Sequence, residues 1–223
     1  MNDFLRNEDA IFSELNHELA KHNLDLTVIC VGGYVLQHHD IRATADVDGF
    51  FAETPDIRAI IRRVGEKFQI NGPDELWLNN SVQNLNDIPP KSICKTVHVF
   101  SNLKILMPPL EYIAVMKLNS GREQDIDDVA QIIKKTDIKD IDDFYDRIKP
   151  FSSQRYDESL LLEAFGHAYG MDWLVDYYTK QEANLLNEVQ DLSSESMKEN
   201  IGTKTKKHAS KHVIHPHGSG GGR

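Results

Sequence analysis

The sequence predicts an α+β fold: a mixed β-sheet with flanking helices, followed by an all-helical C-terminal region. Two observations carry this. Up to residue 107, runs with helical period alternate with short apolar runs of strand length, and from Pro108 onward every periodic segment is helical. The chain has 223 residues and is 40% hydrophobic, enough for one medium core or two small ones.

Taken in order, residues 3–21 place Phe4, Ile11, Phe12, Leu15 and Leu19 at helical spacing. The run LTVICV, ending at Val31, is a short buried strand. Gly32-Gly33 breaks it, and Tyr34–His38 opens a short helix. Ala45–Phe51 reads as a second strand, ended by a Thr54-Pro55 helix start. The helix 55–68 sets Ile57, Ile60, Ile61 and Val64 on one face and Arg58, Arg62 and Arg63 on the other. Residues 71–90 read as loop. Thr96–Phe100 and Leu103–Met107 form a hairpin around Ser101-Asn102. Helices follow at 109–119, 122–135, 139–148, 157–169 and 171–190. The composition divides the chain into an α/β domain over 1–107, a helical domain over 108–192 and a disordered Lys/His/Gly-rich tail over 193–223.

Charge narrows the functional classes. The net charge is −10, yet the segment from Ile201 onward has five basic residues and no acid, so residues 1–200 hold 20 basic against 35 acidic side chains. Such a body repels a phosphate backbone at long range, which argues against generic DNA binding. No stretch approaches the roughly 18 apolar residues of a membrane span, and the N-terminus lacks the basic start of a leader, so the expected location is the cytoplasm. Cys30 and Cys94 lie in strand-like runs without C-x-x-C spacing and are expected as buried thiols.

The stretch that carries chemistry is Gly32-Gly33 followed by Arg42-x-Thr44-x-Asp46-Val47-Asp48. Residues two apart on a strand share a face, so Asp46 and Asp48 present paired carboxylates there. Such a pair repels itself unless a cation lies between, and Mg²⁺ (or Mn²⁺) suits oxygen ligands plus substrate phosphates. An isolated Asp-x-Asp is more often a solvated turn. Here it interrupts an apolar strand, where unneutralised carboxylates are costly. The glycine pair allows backbone N–H groups to approach a phosphate.

These segments resemble the nucleotidyltransferase superfamily, in particular its AbiEii-like group of bacterial toxin and phage-defence nucleotidyltransferases. The likeness rests on Gly-Gly-Tyr-Val-Leu (32–36) and Arg-Ala-Thr-Ala-Asp-Val-Asp (42–48). It continues through Trp77-Leu78-Asn79, the two strands near 96–107 and Lys117-Leu118-x-x-x-Arg122-x-x-Asp125-x-x-Asp128. It implies that Gly32, Gly33 and Thr44 contact a nucleoside triphosphate, with Arg42, Lys117 and Arg122 in the same binding set. It also implies that Asp46 and Asp48 bind the metal, and that Lys117 and Asp125 join them in the catalytic cleft. Each second-half residue has a plainer reading as well: Lys117 as a surface lysine, Arg122 with Asp125 as an intrahelical ion pair, and Asp125 with Asp128 as a solvated acidic face.

Many catalytic members of the superfamily carry a third carboxylate on a later strand. Neither Thr96–Phe100 nor Leu103–Met107 has one, and Asp74, Glu75 and Asp87 are the loop candidates. The expected activity is metal-dependent transfer of a nucleotidyl group from an NTP to an RNA (tRNA) or protein hydroxyl, in a toxin neutralised by a cognate antitoxin. The alternatives are a non-catalytic Mg-NTP-binding module and an antitoxin-like interaction subunit.

Overall fold

The computed structural model describes residues 3–84, 87–152 and 158–209. The elements run α1 (Asp3–Lys21), β1 (Leu26–Val31), α2 (Gly32–His38), β2 (Val47–Phe50), α3 (Pro55–Phe68), β3 (Leu78–Asn79), β4 (Lys95–Val99) and β5 (Leu103–Met107). Then come α4 (Leu110–Ser120), α5 (Glu123–Lys135), α6 (Ile141–Ile148), α7 (Glu158–Tyr169) and α8 (Met171–Ala209). The five strands form one sheet in the order β3-β2-β1-β5-β4, with β1/β5 and β2/β3 parallel and β1/β2 and β4/β5 antiparallel. This is the α+β architecture expected from the sequence, a mixed sheet with flanking helices and a helical C-terminal region.

The apolar stripe of α1 explains its position. Ile11, Phe12, Leu15 and Leu19 are fully buried and join a core with Val28 and Cys30 of β1, Ile57, Ile60, Ile61 and Val64 of α3, and Trp77. Each such side chain contributes about 1.5–3 kcal/mol by leaving water. Thr54 caps α3 by accepting the Ile57 N–H at 3.2 Å, and Gln69 ends it in the left-handed region. The cationic face of α3 is answered by acids: Arg58 pairs with Glu53 at 2.8 Å, Arg63 with Glu18 at 3.5 Å and Lys67 with Glu14 at 2.7 Å.

Three expectations need correction. Within 71–90 the chain makes a two-residue strand, β3, and a 3-10 turn at Ser81–Asn84. Two residues have no period to detect, and only the pairing of β3 with β2 defines them. Second, β2 begins at Val47, so Asp46 stands just outside it. The Thr44 N–H is taken by the Gln37 side chain at 2.8 Å, and Thr44 Oγ1 donates to Asp46 Oδ1 at 3.0 Å. These local bonds hold residues 45–46 in a bend, and the ladder starts with Val47 N–H donating to Trp77 O at 2.7 Å. Third, Cys30 is buried but Cys94 is only half-buried, in the loop before β4, and both thiols are free.

Contacts between Cα atoms group the chain into two compact units, Met1–Gly170 and Met171–Arg223. The position 107/108, where the composition changes, falls inside the first. There α4, α5, α6 and α7 pack on one another and α4 meets α2. Helix α8 runs to Ala209, past the expected end at residue 190. The last part of the tail, 210–223, lies outside the described residues.

Candidate active site

β1 ends at Val31, whose Cα faces that of Asp48 across the antiparallel ladder. The chain then turns into α2 through Gly32 with φ +59°, in the left-handed region that favours glycine. A Cβ on Gly32 would lie 3.0 Å from Asp48 Oδ2, and one on Gly33 would lie 2.5 Å from Thr44 Oγ1. The two glycines are therefore the space that lets the start of α2 lie against the Thr44–Asp48 segment. Val31 offers no side-chain cap to the first N–H groups of α2.

Asp48 is partly buried. Burial raises its pKa above the usual aspartate value and the nearby Asp46 charge adds to the rise; a hydrogen bond from Asn79 and the Lys117 charge oppose it, while the Glu75 charge adds to it. The strand neighbouring β2 explains Asn79: β3 runs parallel to β2 with Asn79 in register with Asp48. The β4–β5 hairpin, which carries no carboxylate in either strand, lies on the other side of β1. Opposite Asp48 the chain therefore carries a carboxamide.

The second-half motif folds into a buried charge network. Lys117, 9% exposed, sits between Asp125 at 2.5 Å and Asp128 at 2.8 Å, which are 2% and 3% exposed. Arg42 donates through Nε to Asp128 Oδ1 at 2.8 Å and through Nη2 to Oδ2 at 3.2 Å. Arg122, the residue before α5, reaches Asp125 Oδ2 at 2.7 Å, and Ser120 donates to the same oxygen. Burial would raise the Asp125 pKa, but the hydrogen bonds from Lys117, Ser120 and Arg122 outweigh it and hold the carboxyl below its ordinary value. Lys117 is thus not a surface lysine, and Asp125 and Asp128 are not a solvated face. The pairing of Arg122 with Asp125 does form.

Gly32, Asp48, Lys117, Arg122 and Asp125 line a single cleft of about 360 Å³, walled by Ile113, Met116 and Val82. Five of the residues singled out in the sequence thus meet at one place, although Lys117 and Asp125 lie 69 and more positions from Asp48. Asp46 opens instead onto a neighbouring cleft with Glu75. Gly33 and Thr44 face each other, and Arg42 is held by Asp128.

Sequence reasoning gave no role to Asn79, Gln37 or Trp77. Asn79 supports Asp48, Gln37 fixes the Thr44 backbone, and Trp77 O accepts the Val47 N–H between the two aspartates. The Trp77 ring is anchored by Nε1 donating to Ile61 O at 3.0 Å. Among the described residues, the buried Gln37 Nε2 group has no hydrogen-bond partner. Trp77 and Asn79 were signalled only by the Trp77-Leu78-Asn79 segment of the resemblance, and Gln37 by nothing in it.

Among the described residues, no group of three or more His, Cys, Asp or Glu side chains could hold a metal ion. The two carboxylates are nevertheless a fitting donor set for Mg²⁺, which commonly takes one or two carboxylates and completes its octahedron with water and substrate phosphate. The mutual repulsion felt by Asp48 is what such a cation relieves.

Among the described residues no helix is long and apolar enough to cross a membrane. No curated protein matches the chain. The family described as "Nucleotidyltransferase of unknown function (DUF6036)" matches residues 9–168, from α1 to the last turn of α7, taking in both aspartates, the glycine pair and the buried network. The chain belongs to this nucleotidyltransferase family.

Proposed function

We propose that the protein binds an NTP with Mg²⁺ (or Mn²⁺) and transfers its nucleotidyl group to a hydroxyl, releasing pyrophosphate. The observation that carries this reading is the convergence of Gly32, Asp48 and Lys117 on one cleft, with the Asp48 carboxylate against the glycine turn and cationic side chains across from it. Asp46 and Asp48 would hold the metal, which when bound draws charge from the phosphates. Lys117 and Arg122 offer positive charge to the triphosphate, and the backbone at Gly32 and Gly33 lets phosphate approach closely. Asp125 and Asp128 hold the Lys117 ammonium in place. In the transfer, the acceptor oxygen bonds to the α-phosphorus as the bond from that phosphorus to the bridging oxygen of the β-phosphate breaks. The electron pair leaves with pyrophosphate and the hydroxyl proton passes to water. Holding the two reactants in line is the main contribution of such a site.

The order and spacing of the motifs support an AbiEii-like relationship within the superfamily and, with it, a cytoplasmic toxin or phage-defence role restrained by an antitoxin. A second reading, a Mg-NTP-binding module without turnover, is favoured by the residue in register with Asp48 being the carboxamide Asn79 and not a third carboxylate.

The test is incubation with Mg²⁺ and each α-labelled NTP, with total tRNA and cell protein as acceptors, beside an Asp46→Ala/Asp48→Ala control. Label transferred by the wild type and lost in the control supports the enzyme. Metal-dependent nucleotide binding with no transfer supports the module.

A further inference from the structure

The carboxylate pair stands between two clefts that differ in charge. Asp48 and Asp125 line the first with Lys117 and Arg122. Asp46 lines the second, of about 560 Å³, bounded by residues 68–72 at the end of α3 and by Glu75, Leu76 and Trp77. None of the residues lining the second cleft is Lys, Arg or His. Its charged residues are Asp46 and Glu75, its wall is apolar at Phe68 and Ile70, and Gln69 and Asn71 are polar residues beside it, the Asn71 amide being engaged by Arg62 O and the Trp77 N–H. Asp46 stands two residues from Asp48 in the chain, so the second cleft meets the same carboxylate pair.

Resting on the nucleotidyltransferase reading, we infer that this second cleft receives the acceptor, and that the acceptor is a hydroxyl on a basic protein segment: a Ser, Thr or Tyr flanked by Lys or Arg. The first cleft has the cations a triphosphate needs, which leaves the second for the other reactant. With the cation offsetting Asp46, a reactant entering beside Glu75 on a body of net negative charge is favoured by positive charge and disfavoured by each phosphate it brings within a Debye length. An RNA end brings several. The apolar wall suits the aliphatic stem of Lys or Arg, or a tyrosine ring. The bonds made and broken are those given above, with the serine, threonine or tyrosine oxygen as the attacking atom.

The experiment uses the full chain with Mg²⁺ and α-labelled NTPs. It has three probes: a peptide mixture with one Ser, Thr or Tyr among Lys and Arg, the matched mixture with Asp and Glu, and total tRNA. Wild-type protein should label the basic peptides at least tenfold faster than the acidic ones and leave tRNA unlabelled. In Glu75→Lys the basic-to-acidic ratio should fall at least tenfold. That ratio is insensitive to any change in metal occupancy, because both mixtures meet the same enzyme. Labelling of tRNA, equal labelling of the two mixtures, or an unchanged ratio in Glu75→Lys would overturn the inference. The melting temperature with and without Mg-NTP is measured in parallel. No labelled probe despite a nucleotide-dependent shift overturns the acceptor assignment alone; no label and no shift overturns the nucleotidyltransferase reading with it.

Discussion

Arg42 and Asp128 lie 86 residues apart in the chain and form a two-pronged ion pair, at 2.8 and 3.2 Å, that ties the loop before β2 to helix α5. The loop carries Thr44 and Asp46, and Asp128 also holds Lys117. One buried carboxylate therefore sets the position of both the loop that carries Asp46 and the Lys117 ammonium.

Asp128→Ala leaves Lys117 and Arg42 without this partner. Removing one member of a buried ion pair typically costs 3–5 kcal/mol, and the partial exposure of Arg42 brings the expectation here to about 3 kcal/mol. Arg42→Ala should cost less, about 1 kcal/mol, because Asp128 keeps Lys117. Urea denaturation of both variants measures the order, and the assignment fails if Arg42→Ala is the more damaging.

Asp48 should oppose stability in the metal-free protein. Its folded-state pKa is raised, so its contribution is fully present below the unfolded value and is lost as pH rises through the folded one. At neutral pH, Asp48→Asn is therefore expected to melt at a higher temperature than wild type in EDTA. The same change should abolish the stabilisation by Mg-NTP. A lower melting temperature in EDTA would contradict the electrostatic account.

Mg²⁺ affinity should weaken as pH falls through the raised Asp48 pKa, because the metal competes with the proton. Asn79 holds that pKa down by hydrogen bonding to the carboxylate. In Asn79→Ala the midpoint of Mg-dependent nucleotide binding should move to higher pH. Titration of binding between pH 4 and about 8 would read it, and an unmoved midpoint would remove Asn79 from the site.

Gly33→Ala should damage nucleotide binding more than stability. The added methyl would sit 2.5 Å from Thr44 Oγ1 and 2.8 Å from Thr44 Cβ, so residue 44 must shift and carry its hydrogen bond to Asp46 with it. A loss of binding of about tenfold corresponds to 1.4 kcal/mol of displaced contacts. Calorimetric titration with Mg-NTP checks it, and wild-type affinity would mean that the Thr44–Asp46 contact is dispensable.

The local chemistry of the chain was legible in its residues. The stripe Ile11, Phe12, Leu15 and Leu19 declares a helix, Thr54-Pro55 a helix start, and Leu103–Met107 a strand, because period, capping and strand propensity act between near neighbours. The juxtaposition of Gly32-Gly33 with Asp46 and Asp48 could be anticipated in the same way, since only a short helix and a turn separate them. Pairings at long range could not. That Asn79 stands in register with Asp48 follows from β3 adding to β2, a contact between a two-residue strand and a segment some thirty positions earlier. That Lys117, Asp125 and Asp128 are buried rather than solvated follows from α4 and α5 packing together and from Arg42 closing on them. Sequence alone sees a charged side chain and expects water, because burying a lone charge is costly; only the tertiary structure supplies the opposite charges that offset that cost.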